Sequence, residues 1–299
     1  MSSGSFLELV DNNNQNHRAV CAGLDPTLSR IPKEYLRGSV RGTLATFLRE
    51  ITEPLVGTVG YFKPNLGFYL AHGSEGIGAL EDLFRHLDGV APDVVKILDL
   101  KNGDIGPTCE AYAQFAFDVL GADAVTLHNY MGVEAMKPWL NRGDKGAYVL
   151  VRTTNPGAEE FQRLGYYDPL ITSDDEATGP LYERVAQNVC ASDGWNFNGN
   201  IGVVAGASPT AVGDLAHVRA IIGDTVPILI PGVGPKQGGD AAAAFENGAN
   251  SDGAGIAVNS SSGITHAHDA HPEVSAPEAS FIEATALHES IEGCRLAAV

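Results

Sequence analysis

Lysine is nearly missing from this 299-residue chain: it occurs 7 times, and Lys and Arg together number 19 against 37 Asp and Glu, a formal net charge of -18. That balance excludes the basic surface on which nucleic-acid binding depends. It also implies a surface suited to high salt, where counterions screen self-repulsion, so a halophilic setting is expected. Any lysine or arginine kept in a pocket then has a specific job. Cysteine is scarce too. Cys21, Cys109, Cys190 and Cys294 are scattered, with no C-x-x-C pair and no zinc spacing, as expected of isolated thiols in a reducing cytoplasm. No run approaches the roughly 20 apolar residues of a membrane span. The N-terminal MSSGSFLELVDNNNQNHR has no basic stretch followed by an apolar run. A secretory signal is therefore not expected, and a cytoplasmic location is.

What the chain does have is a rhythm. Short, β-branched, almost continuously apolar runs recur at 19–24, 59–64, 94–100, 123–128, 146–152, 201–207, 226–232 and 253–259. Strands buried on both faces look like this. Helical stripes lie between them: Leu44, Phe47, Leu48, Ile51 and Leu55; Ile77, Leu80, Phe84 and Leu87; Leu181, Val185 and Val189. Eight strands alternating with helices predict an α/β fold, a single-domain (β/α)8 TIM barrel over residues 1–299. A doubly wound open sheet is the other reading, because periodicity does not show closure. Residues 1–18 read as an N-terminal lead. Residues 153–200 read as a long connection holding one helix and a loop excursion. The polar segment 263–277, with its H-x-H-x-x-H, reads as a solvent-facing loop rather than a metal site. A C-terminal helix is expected over about 278–292.

In such barrels the active site lies at the C-terminal ends of the strands. Polar residues collect there: Asp25 after the first run, Lys63 after the second, Asp99 and Lys101 after the third. Alternation puts Val95, Ile97, Asp99 and Lys101 on one face, so Asp99 and Lys101 point into the mouth together, with Asp104 in the following loop. The glycine-rich PGVGPKQGG (231–239) suits a phosphate held by backbone N–H groups, a common use of the loops after the seventh and eighth strands. It is neither a P-loop nor a dinucleotide fingerprint.

Taken in order, GLDP (23–26), YFKPN (61–65), DLKNGDIGPT (99–108), RTTNPG (152–157), VVAGAS (203–208) and PGVGPKQGG resemble the orotidine 5'-phosphate decarboxylase family, and its long-chain second subgroup best. D-x-K-x-x-D, here Asp99, Lys101 and Asp104, is the specific part. The resemblance implies a homodimeric barrel that turns orotidine monophosphate into UMP and CO2 without metal or cofactor, and with no nucleic-acid or membrane partner. It implies that Lys101 protonates C6 and that Asp99 sits beside the scissile carboxylate. Asp104 and Thr108 would complete the partner subunit's site. Asp25 and Lys63 would bind the ribose, Thr154 the pyrimidine, and Gln237 the phosphate, with Gly232, Gly234, Lys236 and Ser262 around it.

The chain departs from the family at Ser262, where N-S-S-R-G becomes NSSSG and the usual phosphate-binding arginine is gone. Lys236 is the expected compensation. The alternatives are a non-catalytic nucleotide-binding relative weakened at Ser262, or a metal-dependent sugar-phosphate decarboxylase or aldolase of the same suprafamily.

Overall fold

The structure, a computed structural model, describes residues 4–167, 177–191, 194–234 and 238–297. Each of the eight apolar runs carries a strand: β1 (Val20–Gly23), β2 (Tyr61–Lys63), β3 (Val95–Asn102), β4 (Ala124–Leu127), β5 (Gly146–Arg152), β6 (Ile201–Ala205), β7 (Ile228–Ile230) and β8 (Ile256–Ser260). All neighbours pair in parallel, and β8 returns to β1 through Val20–Val258 and Cys21–Asn259. The sheet is therefore a closed barrel, as expected, and not an open sheet. The helices labelled here are α1 (Phe6–Gln15), α2 (Val40–Thr52), α3 (Gly73–Val90), α4 (Gly106–Ala113), α5 (Val133–Leu140), α6 (Leu181–Cys190), α7 (Val212–Ile222), α8 (Ala241–Gly248), α9 (Ser262–Thr265) and α10 (Ala276–Ala297).

Two apolar layers follow from the strand alternation. The outer layer packs helices on strands: Leu44, Phe47, Leu48 and Ile51 of α2 and Leu80, Phe84 and Leu87 of α3 join Phe62, Leu98 and Val125. The inner layer fills the barrel with Cys21, Tyr61, Val95, Ile97, Ala124, Tyr148, Val204, Leu229 and Ala257. The lead contains α1, which starts from a capping box between Ser5 and Glu8. It buries Phe6, Leu9 and Val10 against the inner layer, with the Phe6 ring edge-on to Tyr148 at 5.7 Å. Gly146 opens β5 beneath that ring, where a Cβ would lie 2.5 Å from it. The N-terminal end of the barrel is thus plugged, and its other end is left for chemistry.

Several local expectations fail for physical reasons. Leu181 is exposed and Tyr182 takes its place in the α6 stripe. The 153–200 connection holds more than one helix: a helical turn (Glu159–Gln162) and a small antiparallel pair (Gly165–Tyr166 with Gly179–Pro180) precede α6. The C-terminal helix is longer than expected. The histidine-rich segment is not a solvent-facing loop, for Thr265, His266 and Ala267 are buried. Three of its polar atoms bind β1 and the loop that follows it. His266 Nε2 accepts the Thr27 N–H (3.1 Å), His268 Nε2 meets the Arg30 carbonyl (2.8 Å), and Thr265 Oγ1 donates to Gly23 O (2.5 Å). Burial of His266 lowers its pKa to about 4, so the imidazole is neutral at pH 7.

Candidate active site

Four strands repeat one pattern. Two positions beyond an inward apolar residue, toward the open end, stands a buried polar one: Lys63 after Tyr61, Asp99 after Ile97, Thr126 after Ala124, and Asn259 after Ala257. The period of two sends them all to the same side. Together they form the floor of the mouth.

Asp99 is the hub. Its Oδ2 accepts from Lys63 Nζ at 2.9 Å and from Asn65 Nδ2 at 3.4 Å. Its Oδ1 accepts from Lys101 Nζ at 2.5 Å and from Thr126 Oγ1 at 2.8 Å. Burial opposes the Asp99 carboxylate, but the two lysines outweigh it and hold its pKa well below the usual carboxylate range. Burial likewise opposes the Lys63 ammonium, and Asp99 and Asp25 hold it above the usual lysine range. Asp25 Oδ1 accepts the Asn65 N–H at 3.1 Å, which ties the end of β1 to that of β2. Cys21, one layer below, is buried and its thiol is pushed up to about 12, so it serves as core.

Lys101 is set apart from its neighbours. Simple alternation does not hold through it, because the β3–β4 register shifts between Leu98 and Asn102. Lys101 has a φ of +45°, left-handed backbone that costs a non-glycine residue on the order of 1 kcal/mol. Thr126 holds the turn: its Oγ1 accepts the N–H groups of both Leu100 (3.1 Å) and Lys101 (3.0 Å) while donating to Asp99. The result is an ammonium anchored on a buried carboxylate with its side chain 47% exposed, against 7% for Asp99. This is a cation presented to whatever enters the mouth.

Asp104 follows in the half-buried loop, where its Oδ1 accepts the Ile105 N–H at 2.7 Å. Thr108 lies half-buried in the first turn of α4. Neither joins the Asp99 hub. Ile105, next to Asp104 in the chain, and Tyr130 and Met131, which follow β4, are exposed apolar side chains at this end of the barrel.

The opposite half of the rim is built differently. Thr154 follows β5, half-buried, and Gly206 makes room for it: a Cβ there would lie 2.2 Å from Thr154 Cγ2. Gly232 and Gly234 follow β7 with φ of +100° and +109°, so the loop needs glycine. Gly234 N–H donates to Gly239 O at 3.0 Å, and Gly239 N–H to Gly232 O at 3.0 Å. Lys236 and Gln237 lie outside the described residues. Ser262 begins α9. A pocket of about 440 Å³ joins the end of β7 to that of β8, lined among others by Asp25, Gly232, Gly234, Asn259, Ser262 and Arg30. The helix after β7 is already capped by its own Asp240, whose side chain accepts the Ala243 N–H. Among the described residues no three His, Cys, Asp or Glu side chains converge as a metal site would require.

The structure brings together Asp25, Lys63, Asp99 and Lys101, which the sequence reading named, and it adds Thr126, Asn65 and Asn259, to which that reading gave no role. Their signal was available: each is a polar residue one alternation beyond an inward strand position, or two residues past a strand that ends in lysine.

Residues 18–276 match the Orotidine 5'-phosphate decarboxylase / HUMPS family. The orotidine 5'-phosphate decarboxylase of Bordetella pertussis is 42% identical over 245 residues, covering 82% of this chain and 83% of that protein. That of a Janthinobacterium species is 42% identical over 248 residues, covering 83% and 84%. Among solved structures, Leishmania donovani OMP decarboxylase superposes with a TM-score of 0.77 at 31% identity, covering 98% of this chain and 99% of that one. Leishmania donovani UMP synthase gives 0.81 at 32% identity; the match covers 98% of this chain but only 57% of the synthase.

Proposed function

The chain belongs to the orotidine 5'-phosphate decarboxylase / HUMPS family, and on that premise we propose that it converts orotidine 5'-phosphate to UMP and CO2 in pyrimidine biosynthesis. The observation that carries this reading is the Lys63–Asp99–Lys101 hub at the one open end of the barrel. Losing CO2 leaves an electron pair on C6 that the pyrimidine ring does not absorb. A cation already fixed where that charge develops stabilises it without reorganisation. Lys101 fits: its Nζ is held by Asp99 and its side chain faces the mouth. In this reading the C6–carboxyl bond breaks, CO2 departs, C6 takes a proton from the Lys101 ammonium, and water restores that proton. Asp99 sits against the scissile carboxylate, a like charge relieved as CO2 leaves.

Asp25 and Lys63 take the ribose hydroxyls and Thr154 the pyrimidine. Gly232, Gly234, Lys236, Gln237 and Ser262 surround the phosphate. The phosphate lies away from the bond that breaks, so its binding energy serves to hold the site closed and ordered. Asp104 and Thr108 serve a second copy of the chain in a homodimer, which the exposed Ile105, Tyr130 and Met131 at the same end of the barrel support. The ordered motifs support the long-chain subgroup. The excess of acid supports work in high salt and, with the scattered thiols, a cytoplasmic setting.

The test is direct. The protein is incubated with orotidine monophosphate and EDTA at low and high salt while the pyrimidine absorbance is followed. EDTA-resistant turnover is expected, with higher rates in salt. UMP binding without turnover at any salt would leave a nucleotide-binding relative instead.

A further inference from the structure

The mouth pocket has two unlike walls. One offers backbone and hydroxyl groups at Gly232, Gly234 and Ser262; the other carries the carboxylates of Asp25, Asp269 and Glu283. A phosphate dianion entering meets the Ser262 hydroxyl and glycine backbone on one side, where the Gly234 N–H is already given to Gly239, and like charge on the other. Among the described lining residues the one guanidinium is Arg30, from the loop after β1.

Its geometry is that of a group held in reserve. Arg30 Nε and Nη2 both donate to a single oxygen, Asp269 Oδ2, at 2.9 and 2.5 Å. Two of its five N–H donors are thereby used. Its Nη1 bonds to no described residue, and the side chain keeps 29% of its exposure. Asp269 is itself 50% exposed, so the pair is weakly held and exchangeable. The backbone beneath is not loose. The Thr27 N–H to His266 and the Arg30 carbonyl to His268 pin this loop to the segment after β8. The head group can change partner while its base stays in place.

We propose that Arg30 is the phosphate-binding cation of this site, supplying the charge that Ser262 lacks, with Asp269 holding the guanidinium at the pocket wall until the dianion takes its place. The inference rests on the decarboxylase reading for the ligand class, a nucleoside 5'-monophosphate. Arginine matches a phosphate through two parallel N–H bonds, which a serine hydroxyl does not.

The experiment compares UMP with uridine, which differ only in the phosphate. Calorimetric titration of Arg30→Met should show UMP weakened about 10²-fold, as expected for removal of one partner of a close charge pair, and uridine unchanged. Arg30→Lys should fall between, because it keeps charge but not the fork. Asp269→Asn should leave UMP binding equal or tighter, since it releases the guanidinium. Thermal melts of each variant check folding, and Arg30→Lys carries the test should Arg30→Met not fold. Unchanged UMP affinity in Arg30→Met overturns the proposal. So does an equal loss for uridine, or a loss in Asp269→Asn as large as in Arg30→Met, both of which mark a purely structural pair. Loss of the UMP preference in Lys236→Ala, with Arg30→Met retaining it, also overturns it. Binding reads Arg30 independently of turnover: a protein that prefers UMP through Arg30 but never releases CO2 defeats the decarboxylase reading alone.

Discussion

The two halves of the barrel mouth solve different problems. At the ends of β1 to β4 the charged side chains are tied to one another before any ligand arrives: four donors converge on Asp99, and Thr126 fixes the turn that presents Lys101. At the ends of β5 to β8 the groups are glycine backbone and hydroxyls around open space, and the guanidinium that reaches the same pocket from the loop after β1 is tied to a half-exposed acid. The first half is pre-organised, as stabilising a developing charge requires. The second exchanges partners, as admitting and releasing a ligand requires. Substitution should therefore damage the first half through rate and stability, and the second through affinity.

The largest effects are expected at the hub. Lys101→Ala should cut kcat by about 10³-fold or more while UMP binding stays within about tenfold, because it removes a group used only as charge develops. Asp99→Asn should also abolish measurable turnover, and it should destabilise the fold by about 3–5 kcal/mol by leaving Lys63 charged and buried without its partner. Single-turnover kinetics and denaturant titrations check both. A Lys101→Ala enzyme with normal kcat would break the division between the halves.

Thr126→Val sharpens it. The swap is nearly isosteric but removes three hydrogen bonds at once, those from Leu100, from Lys101 and to Asp99. Without them nothing offsets the left-handed backbone at Lys101. A stability loss of about 1–3 kcal/mol and a kcat lowered tenfold to a hundredfold are expected, with the pH profile unshifted. Thr126→Ser should recover most of both. Equal kcat in the valine and serine variants would assign Thr126 to packing alone.

How far the sequence made this visible differs between the halves for the same reason. The hub was legible because β-strand alternation is a rigid rule: given Ile97 inside, Asp99 must be inside, and the D-x-K spacing then places a lysine near it. Thr126 and Asn259 obey the same rule and were given no role because a single hydroxyl or amide in an apolar run carries no charge to draw notice. The bulge that turns Lys101 outward was not legible, since it arises from pairing with β4. Arg30 and the histidines were illegible in a stronger sense. They meet across more than 230 residues of chain, so composition made H-x-H-x-x-H look like an exposed loop when tertiary contacts had buried it.

Acid should separate the halves. Asp99 has a lowered pKa, so its contribution is present above the unfolded value near 4 and lost as pH falls through its folded value; Lys63 has a raised one, so its contribution is present below about 10 and lost as pH rises through its folded value. Between those limits the hub is constant. His266 differs. With a folded pKa of about 4 against roughly 6.5 unfolded, the unfolded chain binds more protons in that window, so stability falls as pH drops from about 6.5 to 4, by on the order of 2 kcal/mol. Denaturant midpoints measured across pH 4–8 should show this slope, and His266→Phe, which keeps the stacking on Phe47, should flatten it.

The smallest expected effect tests whether the two walls of the pocket are interchangeable. Ser262→Arg places a guanidinium on the wall that now has only hydroxyl and backbone groups. If Arg30 already supplies the cation, UMP affinity should rise by less than about tenfold, because the second positive charge meets a phosphate already paired and must share it. The informative quantity is the coupling. In the Ser262→Arg background, Arg30→Met should cost far less than it does alone, since either arginine then suffices, and the non-additivity of the double-mutant cycle measures that redundancy. Additive losses would place the two side chains on independent tasks, and the mouth would then have one pre-organised half and two separate sites in the other.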